Sequence, residues 1–92
     1  MKNTNYEAFY LCKAANMFSL YNIGCPHMPY MEPLKINATG AMIYEKLRDG
    51  YSISEISDYI SQKYEIGINE SSNDVNAFVD KLRTFGVAVA HE

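Results

Sequence analysis

A chain of 92 residues is long enough for one hydrophobic core and too short for a second, catalytic domain, so residues 1–92 are expected to form a single domain. Hydrophobic residues make up 48% and charged residues 21%, and eight Tyr and four Phe mark a chain that folds rather than a disordered one. Eight Lys and Arg against eleven Asp and Glu give a formal charge of −3, scattered without runs, which argues against nucleic acid as a partner.

The opening residues, MKNTNYEAFY, contain no apolar stretch of signal-peptide length, and no later segment approaches a membrane span; the expectation is a cytoplasmic protein with no membrane partner. In that setting Cys12 and Cys25 are read as free thiols. From Ala8 to Ile36 aromatic and branched side chains favour extended structure, interrupted by turn signals at Ala14-Ala15-Asn16 and Gly24-Cys25-Pro26. Three strands are predicted, near Ala8 to Lys13, Met17 to Ile23 and Tyr30 to Ile36. The second connection carries Pro26, His27 and Pro29 and supports a tight hairpin less well than the first.

After Ile36 the hydrophobic period lengthens. Asn37 is placed to cap a helix from Ala38 to Asp49 that buries Met42, Ile43 and Leu47, and Gly50 supplies the left-handed residue at its end. Ser52-Ile53-Ser54-Glu55 has the form of a capping box, opening a second helix that runs to about Tyr64 on a stripe of Ile53, Ile56 and Ile60. Gly67 and the polar run Asn69 to Asn73 are expected to form a connection. A cap within Ser71-Ser72-Asn73-Asp74 would then start a third helix, ending near Phe85, with Val75, Phe78, Val79 and Leu82 on the core. Asp74, Lys81 and Phe85 form a second stripe beside that face. Whether the tail VAVAHE adds a strand, packs or frays is left open. The expected fold class is α+β: a three-stranded antiparallel sheet over about 8–36 followed by three helices over about 38–85, an outline like a winged helix-turn-helix.

Little catalytic chemistry is available to such a chain. With only His27 and His91 as imidazoles, Cys25-Pro26-His27 is the one candidate nucleophile and base, and it sits in a turn with no recognisable motif around it. Two neighbouring ligands without a second pair downstream do not make a zinc site. The five glycines stand singly at Gly24, Gly40, Gly50, Gly67 and Gly86, so no phosphate loop occurs, and Glu45 and Asp49 read as solvated helix-surface acids. The chain is expected to be no enzyme and to hold no cofactor or metal.

The stretch LKINATGAMIYEKLRDG from Leu34 to Gly50, SISEI from Ser52 to Ile56 and DVNAFVDKLRTFG from Asp74 to Gly86 together resemble the PqqD-like family. That family comprises RiPP recognition elements: small domains that hold the leader of a ribosomally made precursor peptide while a partner enzyme, often a radical SAM enzyme, modifies the rest. The resemblance implies that a leader adds as an antiparallel strand to the third strand and lies against the third helix, so that main-chain bonds give affinity and side-chain pockets give specificity. Carried onto this chain, the docking strand supplies Tyr30, Met31, Glu32, Leu34, Lys35 and Ile36, and the helix supplies Asp74, Phe78, Lys81, Leu82 and Phe85. Of these, Phe78 and Leu82 also fit plain core positions, Asp74 also fits a helix cap, and Lys81 and Phe85 are better placed to touch a ligand. The Asn37-Ala38-Thr39-Gly40 junction matches the family in a structural role.

Two departures bear on that reading. Tyr44 stands where the family usually has Trp, and Pro29 and Pro33 lie in or next to the docking strand, each without an amide hydrogen. If the Pro33 nitrogen points outward, pairing with a guest is confined to Leu34 to Asn37. Two other readings share the outline: a winged-helix DNA-binding regulator, disfavoured because Asp74 and Asp80 offset Lys81 and Arg83, and an assembly adaptor whose edge strand pairs with a partner enzyme. The free edge also leaves a monomer or a weak homodimer open.

Overall fold

The computed structural model describes residues 4–15, 17–23 and 32–89. After a single 3-10 turn, Tyr6–Ala8, strands β1 (Phe9–Ala14) and β2 (Met17–Asn22) form an antiparallel hairpin with Ala14 opposite Met17. Ala15 takes φ 56, the left-handed geometry that two-residue hairpin turns need. Among the described residues strand β3 (Leu34–Ile36) pairs with β2 alone, giving the order β1-β2-β3 with β3 at an edge.

The strand expected from Tyr30 to Ile36 is therefore shorter. Its regular part begins at Leu34, directly after Pro33, whose ring nitrogen has no hydrogen to give a ladder. Glu32 and Pro33 precede it outside the sheet, while Tyr30, Met31 and the Cys25-Pro26-His27 segment lie outside the described residues.

Cross-strand partners share a face, so the register sorts the sheet. Phe9 and Leu11 of β1, Phe18 and Leu20 of β2, and Leu34 and Ile36 of β3 point one way; Tyr10, Cys12, Met17, Ser19, Tyr21 and Lys35 point the other. The first face is covered by helices. Helix α1 (Ala38–Arg48) starts at Asn37, whose Oδ1 accepts from the Gly40 amide at 2.7 Å, and ends at Gly50 with φ 100, where the Tyr51 N–H reaches back to the Lys46 carbonyl. Lys13, at the end of β1 on the covered face, pairs with Glu45 of α1 at 2.9 Å.

Helix α2 (Ile53–Tyr64) opens with the expected capping box: the Ser52 hydroxyl accepts from the Glu55 amide and the Glu55 carboxylate accepts from the Ser52 amide. Ile56 and Ile60 are buried and Ile53 packs at their margin.

Helix α3 (Ile68–Phe85) departs from expectation at its start. The polar run Asn69 to Asn73 is helical, Gly67 is the N-cap, and neither Ser71 nor Asp74 caps the helix. Ser71 is instead fully buried against α2, where its hydroxyl donates to the Ser57 carbonyl at 2.5 Å. A small residue whose polar atom has a partner lets two helices approach closely where an apolar side chain would hold them apart.

Leu20, Ile43, Tyr44, Leu47, Ile56, Ile60, Val75, Val79 and Leu82 fill the space between sheet and helices. Past α3, Gly86 at φ 113 turns the chain, the Val87 N–H donates to the Leu82 carbonyl, and Val87 and Val89 are buried, so the start of the tail packs without forming a strand. Asn5 holds it there: its side-chain NH2 donates to the Gly86 carbonyl at 3.1 Å and its Oδ1 accepts from the Ala88 amide at 2.7 Å.

Candidate functional site

A groove of about 390 Å³ opens where the end of β3 faces α3. Lys35, Ile36 and Asn37 form one wall and Phe78 and Lys81 the other, with Met17 and Phe18 of β2 contributing beside Ile36. Each wall follows from a local rule. Ile36 shares the helix-covered face with Phe18 because the two are opposite one another in the register, and Lys35 points to the other face with Ser19. Phe78 and Lys81 lie three residues apart on α3, hence side by side along one edge of the helix.

Phe78 owes its place to Gly40. A Cβ on Gly40 would lie 2.7 Å from Cε1 and 3.1 Å from Cζ of the Phe78 ring, so the ring rests against the first turn of α1 only because residue 40 has no side chain. The junction that ends β3, Asn37 to Gly40, thus both caps α1 and seats an aromatic residue of the opposite wall.

The groove's charged groups are both cations. Lys35 and Lys81 are exposed, and among the described residues neither has an ion-pair partner. Among the described residues no carboxylate lines the opening. Behind it, burial pushes the Tyr44 hydroxyl above its ordinary pKa, with the Arg48 guanidinium opposing that shift. Tyr44 donates to the Tyr6 carbonyl at 3.4 Å and meets the Tyr6 ring edge-on at 5.9 Å, which is how a tyrosine is satisfied at a fully buried position.

Of the residues expected at a peptide site, the structure brings together Lys35, Ile36, Phe78 and Lys81. Leu34 packs on the core and Leu82 is fully buried. Phe85, expected on the ligand-facing stripe, instead meets the Phe9 ring at a tilt, with centroids 5.8 Å apart, and packs against the core. Asp74 is exposed inside α3, and Glu32 is exposed before β3. Met17 and Phe18 were not foreseen, and Asn37 was expected only as the end of the docking edge. The first two enter through the pairing of Ile36 with Phe18, which no local pattern encodes, and Asn37 enters because its cap leaves the side chain at the mouth of the groove.

Among the described residues no group of three or more His, Cys, Asp or Glu is placed to hold a metal ion, and no helix is long and apolar enough to cross a membrane.

Residues 30–87 match the family model described as coenzyme PQQ synthesis protein D (PqqD). The chain belongs to the PqqD family. The match takes in β3, all three helices and the Asn37 to Gly40 junction, and so both main walls of the groove. No curated protein matches the chain.

Two solved structures share the PqqD-family fold seen here. One is lasso peptide synthetase B1 complexed with its leader peptide, 20% identical, with a TM-score of 0.77 over 96% of each chain. The other is TbiB1 in complex with the TbiA(beta) leader peptide, 17% identical, with a TM-score of 0.74 over 94% of this chain and 95% of that one. Because both alignments span nearly the whole chain, the fold likeness extends to the β1-β2 hairpin, which lies outside the family match.

Proposed function

We propose that residues 1–92 act as one peptide-recognition domain, which grips the leader of a ribosomally made precursor peptide and presents the remainder to a modifying enzyme. The observation that carries the reading is an edge strand beside an open groove in a PqqD-family chain: among the described residues β3 has a neighbour on one side only, and α3 offers Phe78 and Lys81 across the gap. An extended peptide laid there continues the sheet, its main chain pairing with β3 and its alternate side chains entering the groove. That both fold neighbours were solved with leader peptides supports the same reading.

The docking edge is short. Amides along a strand point alternately to its two sides, so Pro33 shares its side with Lys35 and Asn37. Where Lys35 pairs with a guest, Pro33 is the position that contributes no donor, and the pairing centres on Leu34 to Asn37. Side-chain contacts with Ile36, Phe78 and Lys81 then supply the rest of the affinity.

In this reading the chain is an adaptor working in the cytoplasm, not a catalyst, and without peptide it is a monomer or a weak homodimer through the free edge. For the enzyme it serves, the family resemblance supports a radical SAM enzyme, and the likeness to a lasso peptide synthetase component supports a second class. Copurification with each enzyme encoded nearby separates the two. Isothermal titration against a leader encoded beside the chain tests the central step. Saturable binding tighter than about 100 µM is expected, and its absence contradicts the proposal.

A further inference from the structure

The groove carries a charge opposite to that of the whole chain. The formal charge of the protein is −3, yet the described residues lining the groove include two lysines and no carboxylate. Elsewhere among the described residues the cations are engaged: Lys13 pairs with Glu45, Arg48 with Glu45 and Asp49, and Arg83 with Asp80, while Lys46 lies over the Tyr51 and Tyr59 rings and Lys63 over Tyr59 and Tyr64. Lys35 and Lys81 have neither an acidic nor an aromatic partner among the described residues. Asn37 adds to the same bias, because its Oδ1 is committed to the Gly40 amide and the part of its side chain left for a guest is the NH2 donor.

The geometry separates the two lysines by face. Lys35 points to the sheet face away from the helices, while Ile36 lies on the face toward them, in line with Phe18 and next to the groove wall formed by Phe78 and Lys81. A strand added to β3 inherits this alternation. Resting on the leader-binding reading above, we infer that the groove selects an acidic leader segment. In that segment an apolar residue packs between Ile36 and Phe78, an acidic residue next to it meets Lys35, and a second acidic residue two positions from the apolar one meets Lys81. The two carboxylates give the unpaired lysines the counter-charge that the folded chain withholds, and the apolar residue between them fixes the register. Binding of such a segment weakens as salt rises, since both lysines are solvent-exposed.

The test is a display selection of random peptides of about 12 residues, long enough to cover the edge, on the full chain, followed by affinity measurement of the enriched peptides. Enriched sequences are expected to carry the apolar residue with carboxylates one and two positions away. Their affinity should fall roughly tenfold for the Lys35→Glu, Lys81→Glu double variant and return when the two peptide carboxylates are changed to lysine. Both lysines are exposed, so the variant should keep the parent's circular dichroism. Enriched peptides that are neutral or basic, yet protect the amides of residues 34–37 from exchange, overturn the charge rule and leave strand addition intact. A selection yielding no peptide that protects those amides removes strand addition, and this inference with it.

Discussion

Gly40 shows how one missing side chain shapes a binding surface. Alanine there gains helix propensity, worth at most about 1 kcal/mol, but its Cβ would overlap the Phe78 ring, which must then shift within the groove it borders. For Gly40→Ala we therefore expect stability within about 1 kcal/mol of the parent but several-fold weaker leader binding, measured by denaturant melts and titration. Lys81 and Phe85 looked equivalent in the sequence, both on a stripe beside the core face of α3. The structure divides them. Lys81→Glu should leave stability within about 0.5 kcal/mol while weakening the leader, whereas Phe85→Ala, by removing the ring packed on Phe9, should cost about 2 kcal/mol of stability. Binding lost equally in both variants, with equal stability, would mean the groove has been drawn too narrowly. Tyr44 makes a third prediction. Its folded pKa is raised by burial above 10.0, so its contribution to stability is complete below about pH 10 and is lost as pH rises toward the folded value, because there the unfolded chain gives up a proton that the folded chain retains. Melts at about pH 8 and about pH 11 should show the parent losing stability relative to Tyr44→Phe.

Among the elements, those with a side chain dedicated to their boundary were legible in advance. Asn37, Ser52 and Gly50 each mark a helix end through a named hydrogen bond or a left-handed turn, and all three ends lie where expected to within a residue. The start of α3 was not legible, since Gly67 offers no side-chain cap and the first turns bury a serine where an apolar residue would have announced a helix. The spacing was nevertheless present: Ile68, Ser71, Val75, Val79 and Leu82 recur at intervals of three and four, with Ser71 in the stripe. At the end of α2, Glu65 takes φ 54 with its side chain exposed. Glycine adopts that geometry without steric cost, so Glu65→Gly should raise stability by about 0.5–1 kcal/mol in denaturant melts, offset in part by the freer unfolded chain. Strand β3 has the opposite difficulty. Its pattern of apolar and polar residues extends back to Tyr30, but Pro33 cuts the regular ladder to three residues, and the groove residues from β2 depend on a register that only the folded sheet supplies.

Across the whole molecule, one face of the sheet and three helices enclose the core, and Asn5 ties the tail to the start of the chain across 81 residues of sequence. Among the described residues the sheet has two free edges, β1 and β3, and β1 is the longer of them. Length alone would favour β1 as the place for a guest strand. The groove, the two unpaired lysines and the seat for Phe78 all lie beside β3. Amide hydrogen exchange on the full chain, with and without a leader that binds it, decides between the edges. New protection is expected to concentrate on residues 34–37, with the β1 amides unchanged. Protection of Phe9–Ala14 with residues 34–37 exchanging as before would contradict it.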